Sequence, residues 1–153
     1  MKIFSAEDVL DSVKAVLQKN LPGVITKINS ERTDLELPQI NNSDYYYNPR
    51  EAANSNGFIV LEYNLSSPKG RNTNLSLTMQ IDIFLGFLVP NLSDEQSLRM
   101  ACRYQTAIME AIRKGSDEIS HNVEYESVNQ GKVNIGNRDL YGTMWSITIP
   151  VIL

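Results

Sequence analysis

The chain carries little with which to make or break a covalent bond. Its 153 residues include one cysteine, Cys102, and one histidine, His121. A single cysteine excludes an intrachain disulfide, and one residue of each kind cannot assemble a zinc site. Ser120 precedes His121, so a serine–histidine–acid set is formally possible, but no G-x-S-x-G elbow occurs. His121 falls at a predicted helix-to-strand junction and reads as a solvated loop residue. Cys102 falls mid-helix among apolar neighbours and reads as a buried structural thiol, with Arg103 as its basic neighbour. There is no glycine-rich phosphate loop, and Gly131 to Gly142 reads as turn chemistry. No catalytic residue, cofactor or metal is expected.

Other absences bound the class. No apolar run approaches the ~20 residues that span a bilayer. The opening M-K-I-F-S-A-E-D lacks a signal peptide's apolar core, so a cytoplasmic product without a membrane segment is expected. Asn64-Leu65-Ser66 and Asn91-Leu92-Ser93 then read as chance matches rather than glycosylation sites. Basic residues are scattered apart from Lys69–Arg71 and Arg113–Lys114. With a net charge of -4, that argues against a partner recognised by its phosphates. A 42% hydrophobic and 21% charged composition is that of a globular chain, and its length suits one domain over residues 1–153. A domain of this size buries about two-thirds of its unfolded surface.

What is there is alternation. In Leu75 to Phe87 every odd position is apolar, while the even ones begin Ser76, Thr78, Gln80, Asp82. That period of two predicts a strand with one face on a core, about 40 Å long at roughly 3.3 Å per residue. From Phe84 to Val89 both faces turn apolar, so something should cover the second face there. Phe58 to Leu65 predicts a partner strand, joined through the turn Ser67-Pro68-Lys69-Gly70 into an antiparallel hairpin that Pro90 closes. Val123 to Val133 predicts a strand interrupted at Gly131, and Gly136-Asn137-Arg138-Asp139 a tight turn. Tyr141 to Leu153 alternates again, with Pro150 suited to an edge or a strand end. Glu124 and Glu126 read as a solvated sheet face.

Two helices are predicted. Ser5 to Asn20 has Ser5 as cap, Asp8 at N3, a stripe of Val9, Leu10, Val13, Val16 and Leu17, and Pro22-Gly23 as its stop. Val24 to Asn29 then reads as a short strand. Ser93 to Lys114 has Ser93 and Gln96 for a capping box, acids in its first turn and Arg113 and Lys114 in its last. Leu98, Ala101, Cys102, Gln105, Ile108, Met109 and Ile112 form its expected buried side, and Gly115 a left-handed stop. The fold class that follows is α+β: a mixed, mostly antiparallel sheet of about four or five strands with both helices on one face.

Ser30 to Gly57 holds no sustained period and contains Tyr45-Tyr46-Tyr47 and Arg50. It reads either as a mobile surface loop or as an arm that orders against a partner, a role tyrosine suits. Its acids, Asp34, Glu36, Asp44 and Glu51, lack EF-hand spacing.

The order of elements resembles the tail-terminator, or tail-completion, proteins of tailed bacteriophages and phage-like particles. The resemblance rests on the capped helix S-D-E-Q-S-L-R-M-A-C-R-Y-Q-T-A-I-M-E-A-I after the strand L-T-M-Q-I-D-I-F-L, and on the closing W-S-I-T-I-P-V. It implies a structural protein of the virion neck, assembled in the host cytoplasm. Such a protein forms a ring, usually a hexamer, that caps the tail tube and joins the tube protein to the head connector, with no specific nucleic acid or membrane partner. Tyr45, Tyr46, Tyr47, Arg50, Lys69 and Arg71 are then the expected subunit or tube contacts. The alternatives are another head–tail connector or minor capsid component, a small bacterial binding module, and an enzyme with an unfamiliar pocket.

Overall fold

The computed structural model describes residues 6–52, 54–66, 76–88, 92–119 and 123–152. The strands are β1 (Tyr45–Tyr46), β2 (Gly57–Ser66), β3 (Ser76–Phe87), β4 (Glu124–Ile135) and β5 (Arg138–Ile152). They form one sheet in the order β1-β2-β3-β5-β4. β1 joins β2 in parallel, and every other neighbour is antiparallel. Against α1 (Ala6–Glu31) and α2 (Asp94–Lys114) on one face, this is an α+β domain.

The alternation in β3 does what its period demands. Met79, Ile81, Ile83, Leu85 and Phe87 are buried under the helices, together with Ile59 and Leu61 of β2 and Ile147 and Ile149 of β5. The β2–β3 hairpin forms with Ile59 opposite Leu85 and Tyr63 opposite Ile81. Its turn at 68–72, Leu75 and Pro90 lie outside the described residues. β4 runs through Gly131 without the expected interruption. Gly136 and Asn137, at φ 59° and 62°, turn it into β5. Two successive left-handed residues make the tight turn whose twist matches a hairpin. Pro150 pairs with Thr78 of β3, beyond the last β4 pair at Thr148, where a missing amide hydrogen interrupts little.

The second sheet face is apolar at one end only. Phe58, Val60 and Leu140 are buried there with Ala52, which the 3₁₀ turn Pro49–Ala52 lays over the sheet. Gly86 and Gly142 are directly paired, and a Cβ at either would meet the ring of Phe58 or Phe84. The two glycines open a notch that these rings fill, 6.1 Å between centroids.

α1 departs from expectation. It does not stop at Asn20, and the segment 24–29 is helix rather than strand. Val13, Val16, Leu17, Leu21, Val24 and Ile25 make one continuous buried stripe across Pro22-Gly23. A proline inside a helix costs about 3 kcal/mol and a glycine about 1. Burying Leu21, Val24 and Ile25 contributes about 1.5–3 kcal/mol each, so packing outweighs the breakers. The expected cap, Ser5, lies outside the described residues.

α2 carries its capping box as the sequence predicts. Ser93 Oγ accepts from the Gln96 amide at 3.2 Å, and Gln96 Oε1 accepts from the Ser93 amide at 3.0 Å. Its buried face is rotated from the expected one. Met100, Tyr104, Ala107 and Ala111 join Ala101, Ile108 and Ile112 inside, whereas Leu98 and Cys102 are exposed. The helix is wedged between α1 and the sheet, so two of its sides are buried, and one stripe in the sequence cannot show both. Gly115 ends it at φ -111°, not left-handed. Its lack of a side chain serves packing: a Cβ would overlap the Val16 methyls of α1. A short helix, α3 (Ser116–Ile119), follows and buries Ile119.

Candidate functional site

The segment 32–57, expected to be loose, is tied to the helices. Arg103 of α2 has only 8% of its side chain exposed, and Nη2 donates to both Asp34 oxygens at 2.7 and 2.9 Å. Nη1 donates to the Leu35 carbonyl at 2.8 Å. The hydrogen bond from Arg103 holds the Asp34 carboxyl below the usual carboxylate range. Tyr104 Oη donates to the Pro38 carbonyl at 2.7 Å. Asn29 of α1 pairs with both backbone groups of Leu37, at 2.8 and 3.0 Å, and Leu37 and Ile40 enter the core. Three anchors of three chemistries therefore fix the strap, none visible as periodicity.

These anchors decide what the three tyrosines do. Tyr45 is 7% exposed and lies in the core, where burial pushes its hydroxyl far above the ordinary tyrosine value. Tyr46 is half-buried and donates to Asp44 Oδ1 at 3.0 Å, which raises its pKa. Tyr45 and Tyr46 pair with Ile59 and Val60 as β1. Only Tyr47 is exposed, with the Lys14 ammonium 5.3 Å from its ring centroid. Arg50 is exposed beside it in sequence, and no ion pair engages it among the described residues. Of the six expected contact residues, the surface thus presents Tyr47 and Arg50. Lys69 and Arg71 lie outside the described residues, as does His121.

The acids of the strap disperse. Asp34 pairs with Arg103, and Asp44 accepts from Tyr46 and from Ser55 at 3.0 Å. Among the described residues no group of acids, histidines or cysteines could hold a metal ion. No helix described is long and apolar enough to cross a membrane. Cys102 is exposed rather than buried, 3.7 Å from Gln130 Oε1.

Three surface features remain. An open groove of about 660 Å³ runs between the C-terminal end of α1 and the first half of α2, with Ile28, Leu98 and Cys102 along it and Arg32, Glu95 and Arg99 at its rim. The sheet has two open edges. β1 covers β2 only at Ile59 and Val60, which leaves its outer side unpaired from Leu61 to Ser66 among the described residues. Tyr63 and Leu65 on this stretch are 53% and 41% exposed, although they share the face of Ile81 and Met79. β4 forms the other edge, blunted by a bulge at Tyr125/Ser127 and by Lys132. The third feature is the sheet face away from the helices. Glu62 of β2 lies directly opposite Asp82 of β3. Tyr63 and Leu65 alternate in step with the buried Ile59 and Leu61, so alternation alone does not tell them apart. Only the sheet order, and where the helices stop covering it, exposes them.

No protein-family model and no curated protein matches the chain.

Proposed function

We propose that the protein is a structural subunit that assembles with copies of itself into a closed ring, terminating the tail tube of a phage or phage-like particle and joining it to the head. The observation that carries the reading is the outer edge of β2, where residues 61–66 have no backbone partner among the described residues and Tyr63 and Leu65 are exposed. Natural sheets protect such edges or use them, and this one lacks the lysine and bulge that blunt β4. Where this edge meets a different surface of the next copy the contact is head-to-tail, and a head-to-tail contact that closes makes a ring. Tyr47 and Arg50 on the strap then face a neighbouring subunit or the tube. Negative-stain images and mass measurement of the purified protein test the reading. Rings of one fixed subunit number are expected. A protein that remains monomeric at high concentration and fails to bind tail-tube protein overturns it.

A further inference from the structure

The sheet face opposite the helices holds an apolar groove of about 270 Å³, lined by Pro49, Val60, Phe84 and Met144 and bordered by Glu62 and Asp82. Two rows cross the sheet side by side. Val60, Phe84 and Met144 are directly paired across β2, β3 and β5, and next to them Glu62, Asp82 and Ser146 are paired in the same way. Like charges directly opposite one another destabilise a sheet. Neither carboxylate has a cation among the described residues. Asp82 is held in place instead, accepting from Ser146 Oγ at 2.7 Å and Gln80 Nε2 at 3.1 Å. Glu62 is exposed, and its carboxylate accepts no hydrogen bond among the described residues. An acid pair beside a greasy groove complements an arginine or lysine, whose stem lies on apolar surface while its head meets the carboxylates.

The chain carries such a segment. From Tyr63 to Ile81 there is no acidic residue, and Lys69 and Arg71 are its only charges, with Pro68 and Leu75 flanking them. In the other basic cluster, Arg113–Lys114, the arginine already pairs with Glu110. We propose that residues 67–75 of one copy dock on the groove of the next, placing Lys69 and Arg71 against Glu62 and Asp82. This inference rests on the ring reading and names one of its contacts. Segment and groove are different patches of one chain, so the contact is heterologous and repeats around a closed ring.

Sedimentation velocity over a range of concentrations tests it with two charge-reversal variants, E62K/D82K and K69E/R71E. Each alone is expected to lose at least tenfold in self-association. Mixed in equal amounts they are expected to recover it, because each then meets a complementary partner. Circular dichroism checks folding, and E62K alone, at an exposed position, replaces the double variant if Asp82 proves essential to the fold. Reversal variants that assemble as the wild type does overturn this contact and leave the ring reading standing. Loss in both variants without recovery in the mixture overturns docking on a second copy and points to the segment folding back on its own chain. A wild type that is monomeric at every concentration overturns the ring reading as well.

Discussion

The ion pair of Arg103 and Asp34 sets a pH dependence that a single substitution isolates. Arg103 is almost fully buried while Asp34 faces solvent, so the carboxylate is the partner that titrates. Its pKa is lowered in the folded chain, chiefly by the hydrogen bond from Arg103. A group of this kind contributes stability above its unfolded value of about 3.9 and loses it as the pH falls through the lower folded value. D34N removes the charge and leaves the buried Arg103 guanidinium with neutral acceptors only, the Leu35 carbonyl among them. Its Tm is expected below wild type at neutral pH, with the gap narrowing as the pH falls into the acid range. Paired thermal melts from pH 7 to pH 2 check this, and a constant gap would show that the pair does not titrate. Gly115 gives a second test. G115A places a methyl against Val16 and is expected to cost about 1–3 kcal/mol in urea unfolding. V16A/G115A should recover part of that loss, a coupling only contacting residues show.

At the level of the element, local signals and packing divide the chain between them. The alternation of β3 and β5, the Ser93/Gln96 box and the Gly136-Asn137 turn depend on neighbours within a few residues, and all were readable. α1 past Pro22 was not, because what carries it through is Leu21, Val24 and Ile25 packing on distant parts of the chain. The strap from residue 32 was unreadable for the same reason: Arg103 and Tyr104 reach it across 66 to 69 residues of sequence. The buried side of α2 was half readable, since the stripe toward the sheet follows a period but the tie to Asp34 does not. Of the expected contact residues, alternation could not say that Tyr45 is core and Tyr47 surface, because the strap's path decides it. If packing overrides the helix breaker, removing the breaker should help. P22A restores a backbone donor for the Gln18 carbonyl and is expected to raise stability by about 1–3 kcal/mol. The urea midpoint measures it. An unchanged midpoint would mean that α1 has absorbed the proline without cost.

For the whole molecule, the question is why a domain with a closed core leaves part of its core face in the open. Met79 and Ile81 of β3 are fully buried, yet Leu65 and Tyr63, their partners on β2, are not. The helices and the strap cover β2 as far as Leu61 and no further along that edge. A monomer gains nothing from an exposed leucine and tyrosine beside backbone that no described residue pairs. A subunit that adds a neighbour's strand there removes both from water and supplies the missing backbone partners. L65K separates these cases, because its position is already 41% exposed and a lysine stem still covers the sheet. The variant is expected to unfold within about 0.5 kcal/mol of wild type, as surface substitutions do. Its self-association should fall at least tenfold, because the ammonium must leave water when the edge pairs. Light scattering against concentration reads the second quantity and urea unfolding the first. Equal assembly by L65K and wild type would mean that copies associate through another surface, and the proposed contact at Glu62 and Asp82 would then have to hold them alone.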